Sequence, residues 1–390
     1  MLAIFESHPV QYRAPVYQAL QRLVPGRFHV FYATDVSVRG NRDVEFGKSV
    51  AWDEPLLDDY PFTVLNLERG EALKGFRTLR GQGLSRIFDA HSFKAVLQTQ
   101  FLYEYDIAVL FQAVLRGIPV WIRQETQDVA FQRPFLKSVL RSLTYRMLYS
   151  PVQKAFYFGE LNREHLLRNG IKPNCLVRAP YSTINRFENV SGMEYDAIRN
   201  DCRTKLGIAG DKIVIAFFGK LISKKNPDLL LQAIPLLKDS LRARITLLFV
   251  GSGALEIEMK KQAGQLESAG IQTIFTGFIN QSAIRDYYAA ADILVLPSRF
   301  EGEVWGLVVN EALQAGCSVV ISNAVGCGAE FGQWARVRTI PTGDPQALAR
   351  ALVELAAYPK EFGWAQEALK PYSTTAVAEA LAKEIQQLPV

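Results

Sequence analysis

Only four cysteines occur in the 390-residue sequence, and Cys175, Cys202, Cys317 and Cys327 stand at scattered spacings with no C-x-x-C pair. That pattern excludes a disulfide framework or a zinc cluster and fits a reducing compartment. Long hydrophobic runs are missing as well: none approaches the roughly 20 apolar residues of a transmembrane helix. The opening MLAIFESHP meets an acid and a histidine at once, unlike the basic and then apolar regions of a signal peptide, so a cytosolic protein is expected. No G-x-G-x-x-G follows the first strand-like run of either half, which argues against a dinucleotide-binding dehydrogenase. Internal repeats and low-complexity tracts are absent too.

What is present is ordinary globular material, 49% apolar and 21% charged, in a chain long enough for about two domains. Short β-like runs alternate with helical segments, which predicts parallel sheets with crossover helices and an α/β fold. The first half offers LAIF (2–5), FHVFYA (28–33), KAVLQT (94–99) and PVWIRQ (119–124). After an irregular stretch near 181–192 the pattern restarts with IVIAFFG (213–219), ARITLLFVG (243–251), TIFTGF (273–278), DILVLP (292–297) and SVVISN (318–323). Two doubly wound domains are expected, 1–187 and 188–371, with a final helix over 372–390 packing back on the first. Charge is uneven: residues 1–187 hold 24 Lys and Arg against 17 Asp and Glu, leaving 20 against 22 in the remainder. The densest basic stretch is RPFLKSVLRSLTYR (133–146), with Arg133, Lys137 and Arg141 four apart and Leu136, Val139, Leu140 and Leu143 on another helix face. This acid-free amphipathic helix either packs its apolar stripe on its own domain or docks on anionic lipid. Nucleic acid is not an expected partner, because no recognition motif accompanies the basic excess.

Doubly wound sheets bind ligands at the carboxyl ends of their strands, so the loops there are the candidate sites. After IVIAFFG come Lys220, Lys224 and Lys225 and then Asn226-Pro227-Asp228 opening a helix, an arrangement suited to a phosphate. Alone it is an ordinary solvated lysine cluster. Gly251-Ser252-Gly253 permits close backbone approach but is equally a plain turn. The most informative stretch is LPSRFEGEVWGLVVNEALQAG (296–316), where a strand, a glycine-containing loop and a helix starting near Gly306 carry Glu303 and Glu311. One acid can meet a sugar hydroxyl while the other reaches further along the same ligand, with helix-terminal N–H groups between them.

Together FFGKLISKKNPDLLLQAI, LLFVGSG, IFTGFINQSAIRDYYAAADILVLPS and EVWGLVVNEALQAG, spanning most of 213–325, resemble the retaining glycosyltransferases of family 4 with the GT-B fold, the glycosyl transferases group 1 proteins. The resemblance implies two Rossmann-like sheets facing across a cleft and transfer of a sugar from a nucleotide-sugar donor to a glycan or lipid-linked acceptor, with retention, in cell-surface polysaccharide or glycoconjugate synthesis. It implies that Lys220, Lys225, Gly219, Gly306, Leu307 and Val308 hold the donor diphosphate, that Glu303 meets the donor sugar, and that Glu311, Phe278, Ile279 and Gly251 hold the nucleoside. UDP-sugar is preferred over GDP-sugar as cosubstrate. The sequence departs from the family in three ways. Lys220 replaces the usual Arg. Glu301 competes with Glu303, which alone has both the seven-residue spacing and a glycine three residues later. The N-domain loop reads IRQETQD, placing Arg123, Gln124 and Glu125 where a histidine is usual. In ESHPVQYRAP (6–15), Ser7, His8, Gln11 and Arg13 are expected at the cleft, with His8 either a base or an ordinary turn residue. Glu303, Glu125, Arg123 and His8 are therefore the candidate catalytic residues. No Asp-x-Asp occurs anywhere, so no bound metal or other cofactor is expected and lysines and helix termini would carry the leaving-group charge. The expected location is cytoplasmic and peripheral on the inner membrane face. The competing readings are a non-catalytic nucleotide-sugar or membrane binder and a nucleotide-sugar epimerase.

Overall fold

The computed structural model describes residues 1–39, 41–43, 48–50, 53–68, 73 and 75–389. Two all-parallel sheets organise it. The N-terminal sheet has seven strands in the order Phe62–Val64, Phe28–Tyr32, Leu2–Glu6, Ala95–Gln98, Val120–Ile122, Val152–Tyr157 and Leu176–Arg178. The C-terminal sheet has six, in the order Gln272–Gly277, Ile245–Val250, Ile213–Phe218, Ile293–Leu296, Ser318–Ser322 and Val337–Ile340. In both, the first strand in sequence lies beside the second and the fourth, so each sheet reverses direction at the carboxyl end of its first strand and opens a ligand crevice there. A small antiparallel ribbon pairs Asn41–Asp43 with Lys48–Val50.

The strands form where the sequence supplies continuous apolar runs, since parallel strands are covered by helices on both faces. Leu2–Glu6 and Ile245–Val250 are buried throughout. Besides the two strands of the ribbon, four strands of the sheets were not expected: Phe62–Val64, Val152–Tyr157, Leu176–Arg178 and Val337–Ile340. Three of these are only three or four residues long or lie at a sheet edge, and Val152–Tyr157 carries Gln153 and Lys154 inside it, which hides the apolar signal.

Helix starts follow their capping residues. Ser191 and Glu194 form a reciprocal capping box on Gly192–Lys205, and Asp344 followed by Pro345 starts Pro345–Leu355. Ser373 caps Thr374–Gln386, which leaves the C-terminal half and packs on helix Ala14–Leu23. Val377, Leu381 and Ile385 join Leu2, Leu20 and Val24 in the N-terminal core, while Arg27 donates to the carbonyls of Ile385 (3.2 Å) and Leu388 (2.8 Å). The C-terminal core in turn takes in Phe158 and Tyr181, whose rings meet each other and Trp305 in tilted and edge-on contacts at the junction of the halves.

Candidate active site

At the carboxyl end of the C-terminal sheet, the loops leaving Ile213–Phe218, Ile245–Val250 and Gln272–Gly277 and the start of helix Leu307–Gln314 enclose a cavity of about 160 Å³. Close loop packing makes glycine necessary here. Gly251 has φ +141°, and a Cβ on it would fall 1.9 Å from the Gly219 carbonyl oxygen. Gly306, the residue before the helix, has φ +102°, and a Cβ there would meet Leu296 and Val325 at 2.9 Å.

Of the residues singled out in the sequence, Gly219, Gly251, Phe278 and Ile279 line this cavity together with Leu307, Val308 and Glu311. Glu311 is half-buried and accepts a hydrogen bond from the Tyr288 hydroxyl at 2.6 Å. Burial pushes its carboxyl above the ordinary value, more than the Tyr288 hydroxyl and the Arg186 charge offset. Tyr288 is held by stacking on Phe218, with ring centres 3.9 Å apart.

Glu303 and Lys225 do not line the cavity. They form an ion pair with each other, and the Ser298 hydroxyl donates to Glu303 Oε2 at 2.9 Å. Burial would raise the Glu303 carboxyl, but the Lys225 ammonium and Ser298 outweigh it and hold it below its ordinary value. Lys220 follows directly on the cavity residue Gly219. Glu301 is exposed and its backbone pairs with Phe131 of the N-terminal half.

The N-terminal crevice holds a buried charge network that the sequence did not announce. The Arg13 guanidinium bridges Glu6 and Glu125, donating from Nε to Glu125 Oε1 at 3.0 Å. Glu6 also accepts from the Tyr17 hydroxyl and from Thr99 at 2.7 Å, and Glu125 accepts from the Tyr12 hydroxyl at 2.8 Å. Arg123 approaches Glu125 at 3.5 Å and donates to the carbonyls of Ala179 and Pro180 at 3.2 and 3.1 Å. Burial raises the Glu6 carboxyl, whereas for Glu125 the Arg13 and Arg123 charges outweigh burial and lower it. Arg123 and Glu125, expected where the family has a histidine, thus lie within one network of neighbouring protein groups. His8 Nδ1 lies 2.8 Å from the Ser7 hydroxyl, and burial with the nearby Arg13 charge lowers its pKa to about 4, so the ring is neutral at pH 7.

Several residues reach the cavity from the opposite half. Gln11, Tyr12 and Glu54 line it beside Arg186 and Gln281. Glu54 pairs with Arg186 at 2.5 Å, Arg186 donates to Gln281 at 2.9 Å, and the Ser282 hydroxyl donates to Asp53. Gln11 was expected at the cleft. Tyr12, Glu54, Arg186 and Tyr288 were not, and only Glu6, at the end of the first strand, could have been found from the crevice rule alone.

Residues 198–362 match the family described as glycosyl transferases group 1. The D-inositol 3-phosphate glycosyltransferase of Streptomyces coelicolor is 33% identical over 169 residues, 41% of this chain and 36% of that protein. An uncharacterized glycosyltransferase of Methanocaldococcus jannaschii is 30% identical over 154 residues, 40% of this chain and 38% of that protein. The matches thus span about two fifths of the length of these curated relatives. Among solved structures, Anabaena HepE in complex with UDP and glucose superposes with a TM-score of 0.69 at 14% identity, covering 99% of both chains. WaaG, a glycosyltransferase involved in lipopolysaccharide biosynthesis, superposes with a TM-score of 0.66 at 15% identity over 99% of this chain and all of that one. The two sheets, each reversing at its first strand, are those of the GT-B fold that these structures share, and the half that builds the glycine-lined cavity contains the segment that matches the glycosyl transferases group 1 family.

Proposed function

We propose that the chain is a nucleotide-sugar-dependent glycosyltransferase that transfers a hexose with retention, without a metal ion, to a glycan or lipid-linked acceptor in cell-surface polysaccharide or glycoconjugate synthesis. The observation that carries this reading is the cavity that Glu311 lines together with Gly219, Gly251, Phe278 and Ile279 at the carboxyl ends of the strands. Its apolar walls suit a base, its half-buried carboxylate suits a ribose diol, and the helix start at Leu307 suits a diphosphate. UDP is the preferred nucleotide, in line with the UDP complexes of the structural neighbour HepE.

In the free protein Lys225 and Glu303 satisfy each other. An incoming diphosphate would draw the Lys225 ammonium away and leave the Glu303 carboxylate to accept hydroxyls of the donor sugar. Reaction breaks the bond between the anomeric carbon and the diphosphate oxygen and forms the bond to the acceptor oxygen on the same face. The acceptor proton passes to the departing diphosphate, whose charge Lys220, Lys225 and the helix start stabilise. The buried Glu6–Arg13–Glu125–Arg123 network holds Tyr12 against the cavity, so Arg123 and Glu125 act here through position, and neutral His8 remains a candidate contact for the acceptor. Work at the cytoplasmic face of a membrane, through helix Phe135–Tyr149, belongs to the same reading.

The test is a panel of UDP- and GDP-sugars screened by thermal shift, followed by transfer assays in excess chelator and NMR of the product anomer. A ligand at 100 times its Kd stabilises by about 2.7 kcal/mol. Binding of a UDP-sugar with chelator-resistant, retaining transfer is expected. Binding with neither transfer nor hydrolysis would identify a non-catalytic binder, and release of an epimerised nucleotide sugar would identify an epimerase.

A further inference from the structure

The segment that leaves the N-terminal sheet after Leu176–Arg178 is fixed to the helix that carries Glu311. Asn310 donates to the Tyr181 carbonyl at 3.5 Å, and Gln314 donates to the Thr183 hydroxyl at 3.2 Å. Further along, Phe187 is buried against Tyr195 and Phe362, with ring centres 5.6 and 5.9 Å away. Between these anchors Arg186 lines the donor cavity, the one cation among the described residues that do so, beside two carboxylates, Glu54 and Glu311. Its guanidinium is shared: Nη1 pairs with Glu54 at 2.5 Å and Nη2 donates to Gln281 Oε1 at 2.9 Å. Glu54 belongs to the N-terminal half. Its neighbour Asp53 accepts from the Ser282 hydroxyl and, at 3.3 Å, from the Ser282 N–H, so residues 53–54 lie along Gln281 and Ser282.

On the nucleotide-sugar reading of this cavity, on which the inference rests, we propose that Arg186 binds a phosphate of the donor and that Glu54 holds its place in the free protein, an internal anion that the donor displaces. A nucleoside diphosphate brings negative charge into a cavity that offers it one guanidinium and two carboxylates. Left in place, Glu54 repels it. Displaced, it releases a planar fork that matches two phosphate oxygens. Space points the same way: the cavity of about 160 Å³ falls short of the roughly 300 Å³ at which pockets for such ligands begin, so the donor must move a lining group. Gln11, Tyr12 and Glu54 line it from the N-terminal half, and of these only Glu54 shares the donor's charge. The Tyr12 hydroxyl is tied to buried Glu125, whereas the side chains of the Arg186–Glu54 pair stay 16 and 19% exposed, which makes this pair the cheaper contact to exchange. Lys225, paired with Glu303 outside the cavity, is left for the other end of the diphosphate. When the nucleotide departs, Glu54 takes Arg186 back and the link between the halves reforms.

Binding of UDP and of uridine to the full chain is measured by calorimetry at fixed salt for wild type, Arg186→Gln, Glu54→Gln, the double variant and Asp53→Asn. The last removes the same charge as Glu54→Gln from the neighbouring residue, which pairs with Ser282 and not with Arg186. Melting temperature without ligand reports folding, and Arg186→Lys, which keeps the charge without the fork, replaces Arg186→Gln should that variant melt lower. Arg186→Gln is expected to weaken UDP about tenfold and to leave uridine within about twofold, because only UDP carries the phosphate. Glu54→Gln is expected to tighten UDP by about threefold, an effect that vanishes once Arg186 is also replaced and is absent in Asp53→Asn. Equal losses of UDP and uridine would make Arg186 a base or ribose contact and overturn the proposal. So would weaker UDP binding by Glu54→Gln, or a gain that Asp53→Asn reproduces or that persists without Arg186. A wild type that binds no nucleotide would instead remove the reading of the cavity itself, and this inference with it.

Discussion

Glu303 and Glu311 occupy one short stretch, yet their surroundings differ. Glu311 is paired with Tyr288 inside the proposed nucleoside cavity, while Glu303 is paired with Lys225 outside it. A ribose contact is similar in ground and transition states, so Glu311→Gln should raise KM more than it lowers kcat. A contact to the sugar ring strengthens as charge develops, so Glu303→Gln should lower kcat by on the order of 100-fold. Glu301→Gln, at an exposed backbone bridge, should stay near wild type in steady-state assays. A crippled Glu301→Gln beside an active Glu303→Gln would reverse the assignment. The glutamates were legible because their spacing lies within a strand, loop and helix context. Tyr288 was not, because it stands 23 residues before Glu311 on another helix and meets it only in the folded chain.

At the level of elements, the two halves meet where helix Gly328–Phe331 faces the start of helix Glu160–Arg168. Glu330 Oε1 accepts the Glu160 backbone N–H at 2.5 Å, and burial raises its pKa from 4.5 to about 7. A carboxyl raised in this way keeps a proton in the folded state that the unfolded chain has released. Its stabilising contribution is therefore complete below about pH 4.5 and lost as pH rises through about 7. Buried Asp106, also raised to about 7, acts in the same direction. Wild type should melt lower at pH 8 than at pH 5.5, and Glu330→Gln should shrink that drop by about 1–2 °C in calorimetry. An undiminished drop would assign the dependence elsewhere. The basic amphipathic helix was also visible as an element. Which face it buries was not, because Arg141, Ser142, Tyr145 and Tyr149 find partners on segments 126–128 and 165–169 that lie far from it in sequence or across a loop.

The whole molecule is tied together by a chain that crosses between its halves twice, the second time through helix Thr374–Gln386. Leu381 is 2% exposed within the N-terminal core, so Leu381→Ala should cost about 2–5 kcal/mol. The loss should fall on the N-terminal half, seen as a lower first melting step and earlier proteolysis there. UDP-induced stabilisation of the other half should persist, because that half has its own core. Loss of UDP binding with the melting step would mean the two halves unfold as one unit.

The sequence by itself determined the alternation of strands and helices, the two-sheet architecture and the strand-end loops of the C-terminal half. These depend on local apolar runs, capping residues and a compact motif, all carried within a few tens of residues. Tertiary structure alone decided which polar groups meet: Arg13 with Glu6 and Glu125, Glu54 with Arg186, Lys225 with Glu303, Glu330 with the start of another helix. A charged side chain is cheap almost anywhere on a surface and takes its meaning from burial and from a partner. Those are properties of the assembled fold, and no spacing along the chain encodes them.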